Sequence, residues 1–290
     1  MKREKTLRHP VVSGLFYPDE KDDLENMVEG YLRKVDVAAL GKSIAEAGVD
    51  DPGQRPPVAV IAPHAGYIFS GAVQAHAYAL LRGFKFDTAV IIGTAHQAAF
   101  PGISVNLDSA YRTPLGEVEV DLDISTMLVD SDGRIDFYQE AHLGEHAVEV
   151  QLPFIQVAMP GTRIIPLLFG EQTLGGAILL KKALLRIGKK TGGKIIYIVS
   201  TDLSHYHSRI EASALDGRFR EELRRMDTES LLTCIQAGEC EACGFAGVLT
   251  AMLIAGETGL GKSAVLDYRD SGEVSGDRRR VVGYLAAALY

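Results

Sequence analysis

Four short aliphatic runs set the framework of the chain: VAVIA at 58–62, TAVIIG at 88–93, RIIPLLFG at 163–170 and KIIYIVS at 194–200. Each is bounded by glycine, proline or charge. Continuous apolar runs of this length suit strands covered on both faces. The stretches 70–82, 146–159 (interrupted by Pro153) and 173–188 read as helices between them. Such alternation predicts an α/β protein. The segment 102–121 alternates differently and predicts a hairpin insertion. Residues 209–258 read as mostly helical, and 263–272 and 278–290 as two further strands. The stretch 39–57 is the best candidate for a linker or loop. No repeat or low-complexity segment breaks the pattern, so one domain over 1–290 is expected.

Ligands in open α/β sheets collect outside the carboxyl ends of strands. After VAVIA comes Pro63-His64-Ala65-Gly66-Tyr67; after TAVIIG comes Thr94-Ala95-His96; after KIIYIVS comes Thr201-Asp202-Leu203-Ser204-His205. A single loop histidine says little. Three strand ends that each carry one, the third with an aspartate, converge on one rim if the strands share a sheet. Imidazole suits zinc, iron and copper, and a carboxylate nearby can orient it. Cys243 stands before Gly244 and a helix-like run, where a helix N-terminus favours thiolate. On residue type alone a buried, inert thiol is the better reading.

Composition narrows the classes without choosing among them. Of 290 residues, 47% are hydrophobic and 23% charged, ample for a large core. Thirty basic against 38 acidic residues give a net charge of −8, which argues against nucleic acid as a partner. Arg278–Arg280 is too short a run to change that. The opening MKREKTLRHP has charge but no apolar region after it, and no stretch is long enough to span a membrane. Three cysteines do not make a secreted disulfide scaffold. A cytoplasmic protein with no membrane association is expected.

Three further motifs compete. GETGLGKS at 256–263 matches the phosphate-loop pattern but sits after a helix and before a strand, the reverse of what phosphate binding needs. HLGEH at 142–146 matches an inverted zincin pattern. Gly144 instead predicts a helix N-terminus there, with His142 outside the helix and His146 a pocket residue. Glu145 and Glu149 read as a first-turn acid and a solvated one. Cys240 and Cys243 form a C-x-x-C, with disulfide and metal roles for Cys243 mutually exclusive.

The motifs HPVVSGLFYP, APHAGYIFSG, GTAH, EHAVEVQLPF, STDLSHYH, ACGFAGVL and VVGYLA together resemble the Memo (mediator of cell motility) family. Its prokaryotic members are often called AmmeMemoRadiSam system protein B. The resemblance runs from about Arg8 to Tyr284. It implies a three-layer α/β/α fold with a central mixed, mostly parallel sheet, similar to class III extradiol dioxygenases of the protocatechuate 4,5-dioxygenase type. Those enzymes hold non-haem iron with two histidines and a carboxylate, which the Memo pattern replaces by cysteine. Carried over, the metal positions are His64, His96 and Cys243, with Asp202 and His205 as catalytic pocket residues. Phe16 stands where the animal protein has tryptophan, and Phe245 where some members have a basic residue.

The resulting expectation is a redox protein holding Fe(II) or Cu, with zinc as the ion of an alternative hydrolase. Phe16, Tyr67 and His146 would wall the pocket. The competing expectation is a non-catalytic cleft for a peptide or small anion, with Arg112 as a candidate cation. The resemblance also implies a functional link to a radical-SAM protein.

Overall fold

The computed structural model describes residues 5–50, 53–257 and 261–290. The strands are β1 (Leu7–Arg8), β2 (Ala59–Ala62), β3 (Thr88–Thr94), β4 (Ile103–Val105), β5 (Ala110–Thr113), β6 (Gly116–Glu119), β7 (Ile135–Asp136), β8 (Arg163–Phe169), β9 (Ile195–Ser200), β10 (His205–His207), β11 (Ser263–Asp270) and β12 (Val281–Leu289). The large sheet runs β12-β2-β9-β3-β8-β4-β7, with β10 and β11 both on β12. Its centre, β2-β9-β3-β8, is parallel; β12 and β4 join it antiparallel.

The four central strands are the four aliphatic runs, and they are buried on both faces because helices cover both. Val60, Ala62, Ile91 and Ile198 pack with the helices Lys21–Arg33, Val37–Glu46, Tyr67–Leu81 and Leu152–Ala158. Their chain neighbours Ile61, Ile92 and Val199 point the other way, into Leu174–Thr191, Arg209–Arg225, Thr228–Gln236 and Phe245–Glu257. Side chains alternate across a strand, so a three-layer α/β/α fold needs apolar residues at successive positions.

Two expectations change. Residues 39–46, read as loop, belong to the helix Val37–Glu46: Asp36 caps Ala38 N and Ala39 N, and Leu40 and Ile44 are buried. The region 102–121 is not one hairpin. Only β5 and β6 form one, in a small sheet with β1, while β4 leaves to pair with β8 and β7. The phosphate-loop lookalike lies between the helix Phe245–Glu257 and β11, as its flanks suggested; its residues 258–260 lie outside the described ones. Among the described residues no helix is long and apolar enough to cross a membrane.

Candidate metal centre

Because β9 lies between β2 and β3, with Ala62 opposite Ser200 and Ile92 opposite Val199, their carboxyl ends share one rim. His64 follows β2, His96 follows β3 and Asp202 follows β9. The fourth contributor arrives from the side. Gly244 starts the approach to the helix Phe245–Glu257, and a Cβ there would lie 2.9 Å from Ser200 O and 3.0 Å from Thr201 Cβ. Only glycine lets the backbone come this close. Gly244 N donates to Thr201 Oγ1 at 2.8 Å and Cys243 N to Asp202 O at 3.1 Å. These bonds set the Cys243 sulfur 3.3 Å from His64 Nε2, with Asp202 N donating to it at 3.2 Å.

The imidazoles are held from behind. His96 Nδ1 lies 2.9 Å from Glu145 Oε1, and His96 N donates to Glu145 Oε2 at 2.7 Å. A carboxylate accepts only, so Nδ1 carries the proton and Nε2 faces forward. His64 N donates to Asp202 Oδ1 at 2.8 Å, and His64 Nδ1 lies 3.0 Å from Ser200 Oγ. His146 completes the group: its ring stacks on His96 at 4.8 Å between centroids and meets His64 edge-on at 5.3 Å. One ligand atom from each of His64, His96 and His146 lies within 4.8 Å of the others. The 3.3 Å between nitrogen and sulfur also falls in the range spanned by two ligands of one ion, whose bonds are about 2.0–2.3 Å long.

Charge reinforces this grouping. Burial opposes protonation of His64, but Cys243 and Asp202 outweigh it and raise its pKa to about 9. Burial likewise opposes protonation of His96, and hydrogen bonds with Cys243 and Glu145 raise it to about 10. For Cys243 burial favours the thiol, yet the positive His64 and hydrogen bonds from His64 and His96 bring it down to about 6. His146 is lowered to about 4, by burial first and then by the charge on His64. It therefore stays neutral beside two cationic neighbours.

The remaining candidates divide. Phe16 lies edge-on to His146 at 5.1 Å. Tyr67 is buried, with its hydroxyl donating to Val150 O at 2.7 Å, and its ring packs on Phe154 and Tyr17. Asp202 Oδ2 is 4.0 Å from His64 Nε2. His205 and Cys243 line one cavity of about 400 Å³ with Gln172, Leu203 and Phe245. His207 is engaged by Glu241 at 2.8 Å. Arg112 pairs with Glu117 across the β5–β6 hairpin at 3.1 Å. Cys234, Cys240 and Cys243 are all free, so Cys240 and Cys243 form no disulfide.

Sequence reasoning missed the orienting residues. Glu145 is buried and carries His96, where a helix-surface or first-turn acid was expected. Its pKa falls to about 2, because hydrogen bonds and charge from His96 prevail over burial. Glu149, expected in part as a solvated acid, is fully buried and accepts from Val11 N, Val12 N and Tyr17 Oη and pairs with Arg8. Ser200 and Gln151 stand in the motifs STDLSHYH and EHAVEVQLPF, but nothing in either motif tied them to His64. His142 does not lie outside a helix. It lies in the last turn of the short helix Gln139–Leu143, and Gly144 is that helix's C-cap. The side chain turns to Ser104 Oγ at 2.8 Å, away from the imidazole group.

Burial, and then the charge on Arg8, lower the His142 pKa to about 3. Its folded value lies below the ordinary 6.5, so its contribution to stability is complete above pH 6.5 and lost as pH falls toward 3. Between pH 7 and 5 the loss is about 2 kcal/mol, at 1.36 kcal/mol per unit. The fall in unfolding free energy over that interval is expected to shrink by about this amount in His142→Gln. Urea unfolding at the two pH values measures it, and an equal fall in both proteins would refute the assignment.

A sequence profile described as Memo-like protein matches residues 8–288. The chain is 35% identical over 285 residues to a MEMO1 family protein of Desulfurococcus amylolyticus, covering 98% of this chain and 99% of the relative. It is 34% identical to one of Methanobrevibacter smithii, covering 96% and 98%, and 34% identical to one of Methanocaldococcus jannaschii, covering 98% and 99%.

Proposed function

The chain belongs to the family of Memo-like proteins, and from that premise we propose that it is a metal-dependent redox protein binding Fe(II) or Cu through His64, His96 and Cys243. The observation that carries this reading is the approach of the Cys243 sulfur to His64 Nε2, with the Nδ1 atoms of His64 and His96 both occupied from behind. Two imidazoles and a thiolate are a donor set for a first-row transition metal with open positions, and such an ion supplies one-electron chemistry there. Glu145 orients His96 and raises its basicity, as carboxylates do behind metal-binding histidines. The backbone N–H of Asp202 donates to the sulfur and moderates its electron density. His146 and Phe16 wall one side of the site. His205, on the cavity that Cys243 borders, is placed to pass a proton to a small molecule held there.

Metal analysis of protein purified without oxygen, added metal or affinity-tag histidines tests the reading. Near-stoichiometric iron or copper is expected, and His64→Ala and Cys243→Ser should each lose most of it. Unchanged metal content in those variants would refute the ligand set. Zinc in place of iron and copper would transfer the same ligands to the hydrolase reading.

A further inference from the structure

The hydrogen bonds behind His64 can be assigned atom by atom. Gln151 lies 3.0 Å from Pro63 O, and a carbonyl only accepts, so the atom there is Nε2. The other end of the amide agrees: Gln151 Oε1 accepts from Gln74 Nε2 at 2.8 Å and Tyr78 Oη at 2.9 Å. Gln151 Nε2 therefore spends its second proton on Ser200 Oγ at 2.9 Å. Ser200 has one proton of its own, and Ala147 O, again an acceptor only, takes it at 2.6 Å. His64 Nδ1, 3.0 Å from the same oxygen, is left with one role: it must donate. Gln74, Gln151 and Ser200 are all fully buried, so no water competes.

We propose that Gln151, acting through Ser200, is a positioning residue that keeps a proton on His64 Nδ1 and so directs Nε2 at the Cys243 sulfur. The direction of the chain of bonds is fixed at Ser200: Ala147 O takes its one proton, and Gln151, turned with Nε2 toward Pro63 O, offers the hydroxyl a donor and no second acceptor, so His64 Nδ1 must supply the proton between them. The same segment orients His96 through Glu145. Glu145 behind His96, and Ala147 and Gln151 acting through Ser200 behind His64, thus set the ring orientation of both imidazoles, though none of these four residues is itself in the proposed ligand set. The proton assignment stands on the hydrogen bonds alone; its bearing on affinity rests on the metal-site reading.

Two measurements test it, with Ser200→Ala, Gln151→Leu and Ser200→Thr. Nitrogen NMR of ring-labelled histidine should show a slowly exchanging proton on His64 Nδ1 in wild type, both metal-free and with Zn(II). That protection should be lost in Ser200→Ala and kept in Ser200→Thr. Competition for Zn(II) with a chromophoric chelator should show ~10–100-fold weaker binding in Ser200→Ala and Gln151→Leu, the range for residues behind a ligand. Ser200→Thr, which retains the hydroxyl, should restore it, while thermal unfolding confirms that each variant is folded. A His64 Nδ1 without a proton in wild type, or wild-type Zn(II) affinity in folded Ser200→Ala and Gln151→Leu, would overturn the proposal. Wild type that takes up no Zn(II), iron or copper would refute the metal site instead, and the NMR result would then decide the proton assignment by itself.

Discussion

Replacing Glu149 by alanine is expected to destabilise the protein by about 3–5 kcal/mol, the usual cost of removing one partner from a buried ion pair. Glu149 is fully buried and Arg8 nearly so. The carboxylate pairs with Arg8 and accepts from Val11 N at 2.8 Å, Val12 N at 3.0 Å and Tyr17 Oη at 2.7 Å. Without it the guanidinium keeps carbonyl partners, His142 O and His9 O, but no counter-charge. A buried unpaired charge is what makes the single substitution severe. The double variant Arg8→Met with Glu149→Leu should therefore cost less than the two single changes added, because the stranded charge is gone. Urea unfolding followed by circular dichroism reads all five proteins, wild type included. A Glu149→Ala cost under ~1 kcal/mol, the scale of an exposed pair, would contradict this account. The consequence reaches the site: residues 11–17 carry Phe16 to His146, and Phe16 O accepts from Tyr67 N at 2.7 Å beside the His64 loop.

The second large effect is electrical. In metal-free protein, Cys243 should titrate near pH 6, being thiolate above and thiol below. Burial works against the thiolate, so the shift depends on its histidine partners, with the charge of His64 first among them. In His64→Ala the midpoint should rise toward the ordinary value of about 8.5. At pH 7 the thiolate population would then fall from about nine-tenths to a few per cent, roughly 30-fold. Ultraviolet thiolate absorbance against pH reads this, and Cys243→Ser identifies the signal. Cys240 does not interfere, since burial and its hydrogen bond with Cys234 raise its pKa far above neutrality. A midpoint in His64→Ala equal to that of wild type would mean that the imidazole charge does not set the thiolate.

The sheet was readable because burial on both faces demands apolar residues at successive positions, and 58–62, 88–93, 163–170 and 194–200 satisfy that locally. The rim was readable for a related reason: a parallel strand ends where its apolar run ends, so His64, His96 and Asp202 announce themselves by position. Short-range rules failed where local signals were ambiguous. Residues 39–46 hold Leu40 and Ile44 at helical spacing but are interrupted by Gly41, and they form a helix on the Asp36 cap and on those two contacts made inside the core.

By itself, the sequence determined the α/β class, the parallel centre and which histidines reach its edge. Only the tertiary structure decided what stands behind them. Glu145 serves His96 from 49 residues away, Ser200 serves His64 from 136, and Gln151 holds Ser200 across 49. All three lie in motifs that carry the family resemblance, yet no spacing or period names the partner of any of them, because a hydrogen bond between distant segments depends on where loops bring two atoms, to within a few tenths of an ångström. Apolar burial is a property of many residues averaged over a surface, and so survives in the pattern of a chain. A proton held between two atoms belongs to one pair, and only the folded backbone chooses it.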